Sequence, residues 1–101
     1  MLFSVSVIPI GAGSSLGDQL AKVLNIIDES GLPYKTNPMG TAIEGEWDEV
    51  MELIKKCHQS VMASNERAYL IINVDDRKSK PNRLEGKVKS VEERLGRELK
   101  K

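Results

Sequence analysis

Apolar and polar residues alternate through "LFSVSVIPI". Phe3, Val5 and Val7 fall on one face, and Ser4, Ser6 and Ile8 on the other, the period-two signature of a half-buried strand. Pro9 removes a backbone donor near its end, which suits an edge or a strand terminus. From Ser15 the period lengthens. Leu16, Leu20, Val23, Leu24 and Ile27 recur at helical spacing and form one apolar stripe. Ser14 or Ser15 is a suitable N-cap, Ser15 with Asp18 approximates a capping box, and Gly31 is a natural stop. "LPYKTNPMGTAIEGEW" then reads as two short strands, Leu32 to Asn37 and Thr41 to Glu46, around a turn at Pro38-Met39-Gly40. "EWDEVMELIKKCHQSVMASN" is helical, with Val50, Leu53, Ile54, Cys57 and Val61 sharing a face and acids gathered at its start. "RAYLIINVDD" is a fourth strand, with Leu70, Ile72 and Val74 on one side and Tyr69, Ile71, Asn73 and Asp75 on the other. A polar loop from Asp76 to Asn82 leads to a last helix over about residues 83–99. Its narrow stripe of Leu84, Val88, Val91, Leu95 and Leu99 needs something to lean on, and Gly86 and Gly96 weaken it by roughly 1 kcal/mol each.

The order is strand, helix, strand, strand, helix, strand and an extra helix. This is the split βαβ arrangement: an α+β, ferredoxin-like βαββαβ sandwich with an additional C-terminal helix, expected as a single domain over residues 1–101. In that topology the first strand lies between the third and fourth, and helices cover one face of the sheet. The chemistry then rests with the other face. There the alternation puts Ser4, Ser6 and Ile8 from the first strand, Ala42, Glu44 and Glu46 from the third, and Tyr69, Ile71, Asn73 and Asp75 from the fourth. Ser4 and Ser6 are expected to have Glu44 on one flank and Asn73 on the other. On the second strand the phase is open: either Tyr34 and Thr36 or Lys35 and Asn37 face this side. Short polar groups mixed with exposed isoleucines suit a second protein layer, a small ligand, or a ligand trapped between copies.

The glycine-rich run "GAGSSLG" after the first strand invites a nucleotide reading that its spacing does not support. The third glycine falls four residues after the second rather than three, no acid ends the following strand, and there is no Walker lysine. The glycines are read as a sharp turn into a capped helix, whose free amides could still hold a small anion.

Net charge is zero but uneven. Residues 77–101 carry ten Lys/Arg against four Asp/Glu, and residues 1–76 carry five against eleven. The basic tail lacks an aromatic residue to stack on a base, so nucleic acid is disfavoured, and an acidic body meeting a basic tail is preferred. One cysteine excludes an internal disulfide framework. No apolar run approaches the ~20 residues that span a bilayer, and the start lacks the marks of a signal peptide. A cytoplasmic protein is expected.

The segments "PIGAGSSL", "SGLPYKTNPMGTAIEGEWDEVM" and "KCHQS" resemble a family of small proteins termed thiamine-binding-protein-like, over nearly the whole chain. The resemblance implies a ferredoxin-like fold that self-associates through sheet faces and C-terminal helices into dimers or tetramers. It also implies non-catalytic binding of thiamine or its hydroxymethylpyrimidine moiety. In that setting Glu44 could accept from the exocyclic amine while Ser4, Ser6 and Asn73 satisfy ring nitrogens. Thr36, Asn37, Met39, Gly40 and Thr41, in the motif-bearing hairpin, are further ligand contacts. Tyr34, Trp47 and Tyr69 are candidates to face a cationic thiazolium, although packing explains each of them as well.

Other chemistry is set aside. Cys57 and His58 point about a hundred degrees apart on a helix. No set of metal ligands has suitable spacing. No catalytic residue, metal or cofactor is expected. The competing readings are an RNA-binding or purely structural ferredoxin-like module, and an enzyme acting on a small heterocycle through Glu44.

Overall fold

The computed structural model describes residues 1–78 and 83–100. Strand β1 (Leu2–Ile10) is followed by a single 3-10 turn (Gly13–Ser15) and helix α1 (Leu16–Glu29). Strands β2 (Tyr34–Asn37) and β3 (Gly40–Glu44) form the hairpin, helix α2 (Trp47–Met62) and strand β4 (Arg67–Asp75) follow, and helix α3 (Arg83–Leu95) ends the fold. The four strands lie in the order β2-β3-β1-β4, every pairing antiparallel. This is the ferredoxin-like α+β arrangement with an added C-terminal helix.

The period-two alternation of β1 fixes the core. Phe3, Val5 and Val7 are buried beneath the helices, while Ser4, Ile8 and Ile10 are exposed on the opposite face. Ile43 of β3, Val23 and Ile27 of α1, and Val50, Leu53, Ile54, Cys57 and Val61 of α2 complete the same apolar layer. Each large aliphatic side chain removed from water there contributes roughly 1.5–3 kcal/mol. Phe3 also meets Trp47 at a ring separation of 6.0 Å. Tyr34 packs against this core and its hydroxyl donates to Asp28 Oδ1 at 2.6 Å. That settles the phase of β2: Tyr34 and Thr36 face the helices, and Lys35 and Asn37 face the other side.

The start of α1 is built differently from the expected cap. Ser15 belongs to the 3-10 turn, and its hydroxyl donates to the Ala12 carbonyl at 2.7 Å while accepting from Gln19 at 2.7 Å. The Ser15 hydroxyl makes no bond to the amides of the first helical turn. The reciprocal capping box falls at α2 instead, where the Glu46 N–H donates to Glu49 Oε1 at 2.8 Å. The glycine run turns the chain through positive φ at Gly11 and Gly13, as a tight turn requires.

Helix α3 is shorter than the sequence pattern suggests. It stops at Leu95 because Gly96, in a left-handed conformation, ends it with a bond from its own N–H to Glu92 O at 2.8 Å. Its first turns lie over the open face of the sheet. The Leu84 N–H donates to Glu44 Oε1 at 3.4 Å, Lys35 pairs with Glu85 at 3.2 Å, and Lys87 pairs with Asp75. The expected polar loop is described only as far as Lys78, and Ser79 to Asn82 lie outside the described residues.

Candidate functional site

The hairpin fixes one wall of a cleft. Asn37 pairs with Gly40 across a two-residue turn, and Asn37 Oδ1 accepts from the Met39 N–H at 2.8 Å, an Asx turn that holds the tip. The Thr36 hydroxyl lies 3.0 Å from that of Thr41 and donates to the Gly40 carbonyl at 3.4 Å. The tip is tied to β1 by the Ser6 hydroxyl, which donates to the Met39 carbonyl at 3.0 Å. Glycine is required at position 40 for this close approach. A Cβ there would lie 2.8 Å from Ser6 Oγ and 3.1 Å from the Val5 carbonyl oxygen.

The cleft opens beside this tie, between the hairpin, the second half of β1 and helix α1. Its volume is about 320 Å³, at the small end of the range of roughly 300–1,000 Å³ for small-molecule sites. Val5 to Ile8 form its floor, Leu20, Val23, Leu24 and Ile27 of α1 form one wall, and Thr36 to Thr41 form the other. The lining is largely apolar, Ser6, Thr36, Asn37 and Thr41 are its polar residues, and it contains no ionisable residue. Leu20 and Leu24 remain 37% exposed although they belong to the apolar stripe of α1. Met39 at the hairpin tip is 86% exposed.

The structure divides the nine candidate residues. Ser6, Thr36, Asn37, Met39, Gly40 and Thr41 line the cleft. Ser4, Glu44 and Asn73 share the open face of the sheet but lie outside the cleft. The expected neighbours of the serines need correcting. Ser4 pairs with Asn73 on one side and Ala42 on the other, Ser6 pairs with Ile71, and Glu44 stands opposite Leu2. Alternation determines which face a residue occupies but not the register between strands. Glu44 is therefore a diagonal neighbour of Ser4, and its carboxylate accepts from the first turn of α3.

Elsewhere, Cys57 is 2% exposed and its Sγ lies 4.0 Å from the Val23 carbonyl. Burial pushes the thiol up to about 11 from its ordinary value of 9.0, so it stays protonated and inert at neutral pH. The carboxylate of Asp28 beside Tyr34 raises that phenol above its usual range. Among the described residues no cluster of three or more His, Cys, Asp or Glu could hold a metal ion, and no helix is long and apolar enough to cross a membrane.

The sequence pattern did not single out Leu20, Leu24 or Val7 as site residues. The usable signal was the width of the α1 stripe, which carries more leucines than the core buries.

Comparison with known proteins places this geometry in a family. Residues 3–92 match the thiamine-binding protein family. A UPF0045 protein of Methanocaldococcus jannaschii is 35% identical over 89 residues, covering 88% of this chain and 89% of its own. Another, from Synechocystis, is 36% identical over 93 residues, covering 91% of this chain and 77% of its own. The crystal structure of the M. jannaschii protein superposes with a TM-score of 0.83 at 34% identity over 91% of this chain and 95% of that one. A Thermotoga maritima protein whose description refers to thiamine biosynthesis or salvage shares the fold, with a TM-score of 0.78 at 23% identity over 89% of this chain and 96% of that one. With its fold and nearly its whole length matched in this way, the chain belongs to the thiamine-binding protein family.

Proposed function

We propose that the chain is a non-catalytic, cytoplasmic binder of thiamine or a related aminopyrimidine such as hydroxymethylpyrimidine, and that the ligand enters the cleft between α1, β1 and the β2–β3 hairpin. The observation that carries this reading is the character of the cleft in a member of this family. It is small, apolar on one wall, and edged on the other by Ser6, Thr36, Asn37 and Thr41. A flat heterocycle with ring nitrogens and an exocyclic amine needs that combination: apolar contact for its faces and a few donors and acceptors at its rim. The absence of an ionisable side chain from the lining favours binding over acid–base chemistry, which requires a group that exchanges protons in reach of the ligand.

Self-association is part of the same reading. The open face of the sheet exposes Ile8, Ile10, Tyr69 and Ile71, and α3 carries Val91 and Leu95 at 44% and 51% exposure. A second copy would cover both surfaces, in a dimer or a tetramer. A calorimetric or thermal-shift titration with thiamine and with hydroxymethylpyrimidine tests the binding claim. Saturable binding of either is expected, and no response to both at millimolar concentration would refute it.

A further inference from the structure

The backbone of β1 in the floor of the cleft is unfinished. Successive residues of a strand turn their N–H and C=O groups to opposite sides. The Met1 carbonyl accepts from the Gly45 N–H, and the Val5 carbonyl faces Gly40. Odd-numbered residues of β1 therefore present their backbone groups toward β3, and even-numbered ones toward β4. The pairing with β4 runs the whole length of β1, from Leu2 to Ile10, but the pairing with β3 ends at Val5–Thr41.

Two residues further on, the register would set Val7 opposite Met39. Met39 is instead committed to the turn. Its N–H donates to Asn37 Oδ1, and its carbonyl accepts from the Ser6 hydroxyl. The Val7 N–H and C=O thus point into the cleft with no main-chain partner among the described residues, although Val7 is only 7% exposed and belongs to the cleft lining. Buried backbone groups are almost always paired, so an open donor and acceptor on one buried residue mark a place for a ligand. The next residue on this side, Pro9, has no N–H, so the gap is too short to accept another strand.

We propose that the Val7 backbone is the recognition element of the cleft: its N–H donates to a ring nitrogen of an aminopyrimidine, and its carbonyl accepts from the adjacent exocyclic amine. This rests on the reading of the cleft as an aminopyrimidine site. A single extended residue presents a donor beside an acceptor, and the amidine edge of such a ring presents the complementary acceptor beside a donor. Leu20 and Leu24 supply the apolar wall for the ring faces. Glu44, on the far part of the sheet, has no part in reading the amine.

The test uses calorimetric titration of the full chain with hydroxymethylpyrimidine and with the same pyrimidine lacking its exocyclic amine. Val7→Pro removes the donor and leaves the β4 ladder intact, as Pro9 paired with Ala68 already illustrates. Val7→Ala shortens the side chain but keeps the N–H. Binding at least tenfold weaker is expected for the amine-free ring on the wild type, and for Val7→Pro relative to Val7→Ala. Should Val7→Pro not fold, the analogue comparison decides alone, together with a shift of the Val7 amide resonance on adding hydroxymethylpyrimidine. Equal affinities in both comparisons, or an unmoved Val7 amide in a saturated sample, would overturn the backbone readout while leaving the cleft as the binding site. A wild type that binds no aminopyrimidine would overturn the reading of the cleft and this inference with it.

Discussion

Replacing Gly40 by alanine probes how tightly the hairpin tip is drawn onto β1. The added methyl carbon would sit 2.8 Å from Ser6 Oγ and 3.1 Å from the Val5 carbonyl oxygen, against the 3.4 Å at which ordinary contact begins. The carbonyl belongs to the β1–β3 ladder and yields little. The hydroxyl can rotate only by giving up its bond to the Met39 carbonyl, a loss of about 0.5–1.5 kcal/mol. Otherwise the tip must lift, straining the Asx turn at Asn37. Overpacking of this kind costs about 1–3 kcal/mol, which for a chain of this length lowers Tm by roughly 5–20 °C. Urea unfolding of Gly40→Ala, alone and with Ser6→Ala, measures it. Removing the hydroxyl takes away the shorter of the two contacts, so Gly40→Ala should cost at least about 0.5 kcal/mol less in the Ser6→Ala background. A single variant within about 0.5 kcal/mol of the wild type, or an equal cost in both backgrounds, would refute the proposed close approach.

Other perturbations reach different parts of the account. The Cys57 thiol is neutral in the fold and titrates higher there, at about 11, than in the unfolded chain. Its contribution is therefore complete below about pH 9 and is lost as pH rises through about 11, a change of about 2–3 kcal/mol. Urea unfolding on both sides of that window should show the wild type losing more stability than Cys57→Ala, and parallel losses would contradict this. Leu24→Gln alters a cleft wall at a residue 37% exposed. Calorimetry should show severalfold weaker hydroxymethylpyrimidine binding while Tm moves little, whereas unchanged affinity would remove α1 from the site. Val91→Glu with Leu95→Glu places charge on the exposed stripe of α3, so light scattering should report dissociation toward monomer. An unaltered mass, whether monomeric or assembled, would show that this stripe is not the interface.

The sequence made the fold legible because its two periodicities do not overlap. Alternation through β1 and the α2 stripe of Val50, Leu53, Ile54, Cys57 and Val61 each match buried positions, whereas on β4 the expected inward face leaves Leu70 and Ile72 half-buried and Val74 40% exposed. Cap chemistry was less transparent. Ser15 has the right side chain for an N-cap, but the 3-10 turn before α1 commits its hydroxyl to Ala12. Period-two reasoning put Ser4, Glu44 and Asn73 on one face without revealing that Glu44 stands opposite Leu2. The cleft depends on a subtler fact: β3 stops pairing at Val5 while β1 continues to Ile10. No hydrophobic pattern records where a ladder ends, so Val7 reads in sequence as one more core valine. The hairpin residues Thr36 to Thr41 came forward through resemblance, and their place across the cleft from Leu20 and Leu24 emerged only when α1 was set beside the sheet.

Amide chemical-shift mapping of the labelled protein during titration with hydroxymethylpyrimidine tests the central claim most directly, because it locates the ligand. Perturbations concentrated at Ser6 to Ile8, at Leu20 and Leu24, and at Thr36 to Thr41 are the predicted result. Perturbations confined to Ser4, Glu44 and Asn73 would contradict it by moving the ligand to the open face of the sheet.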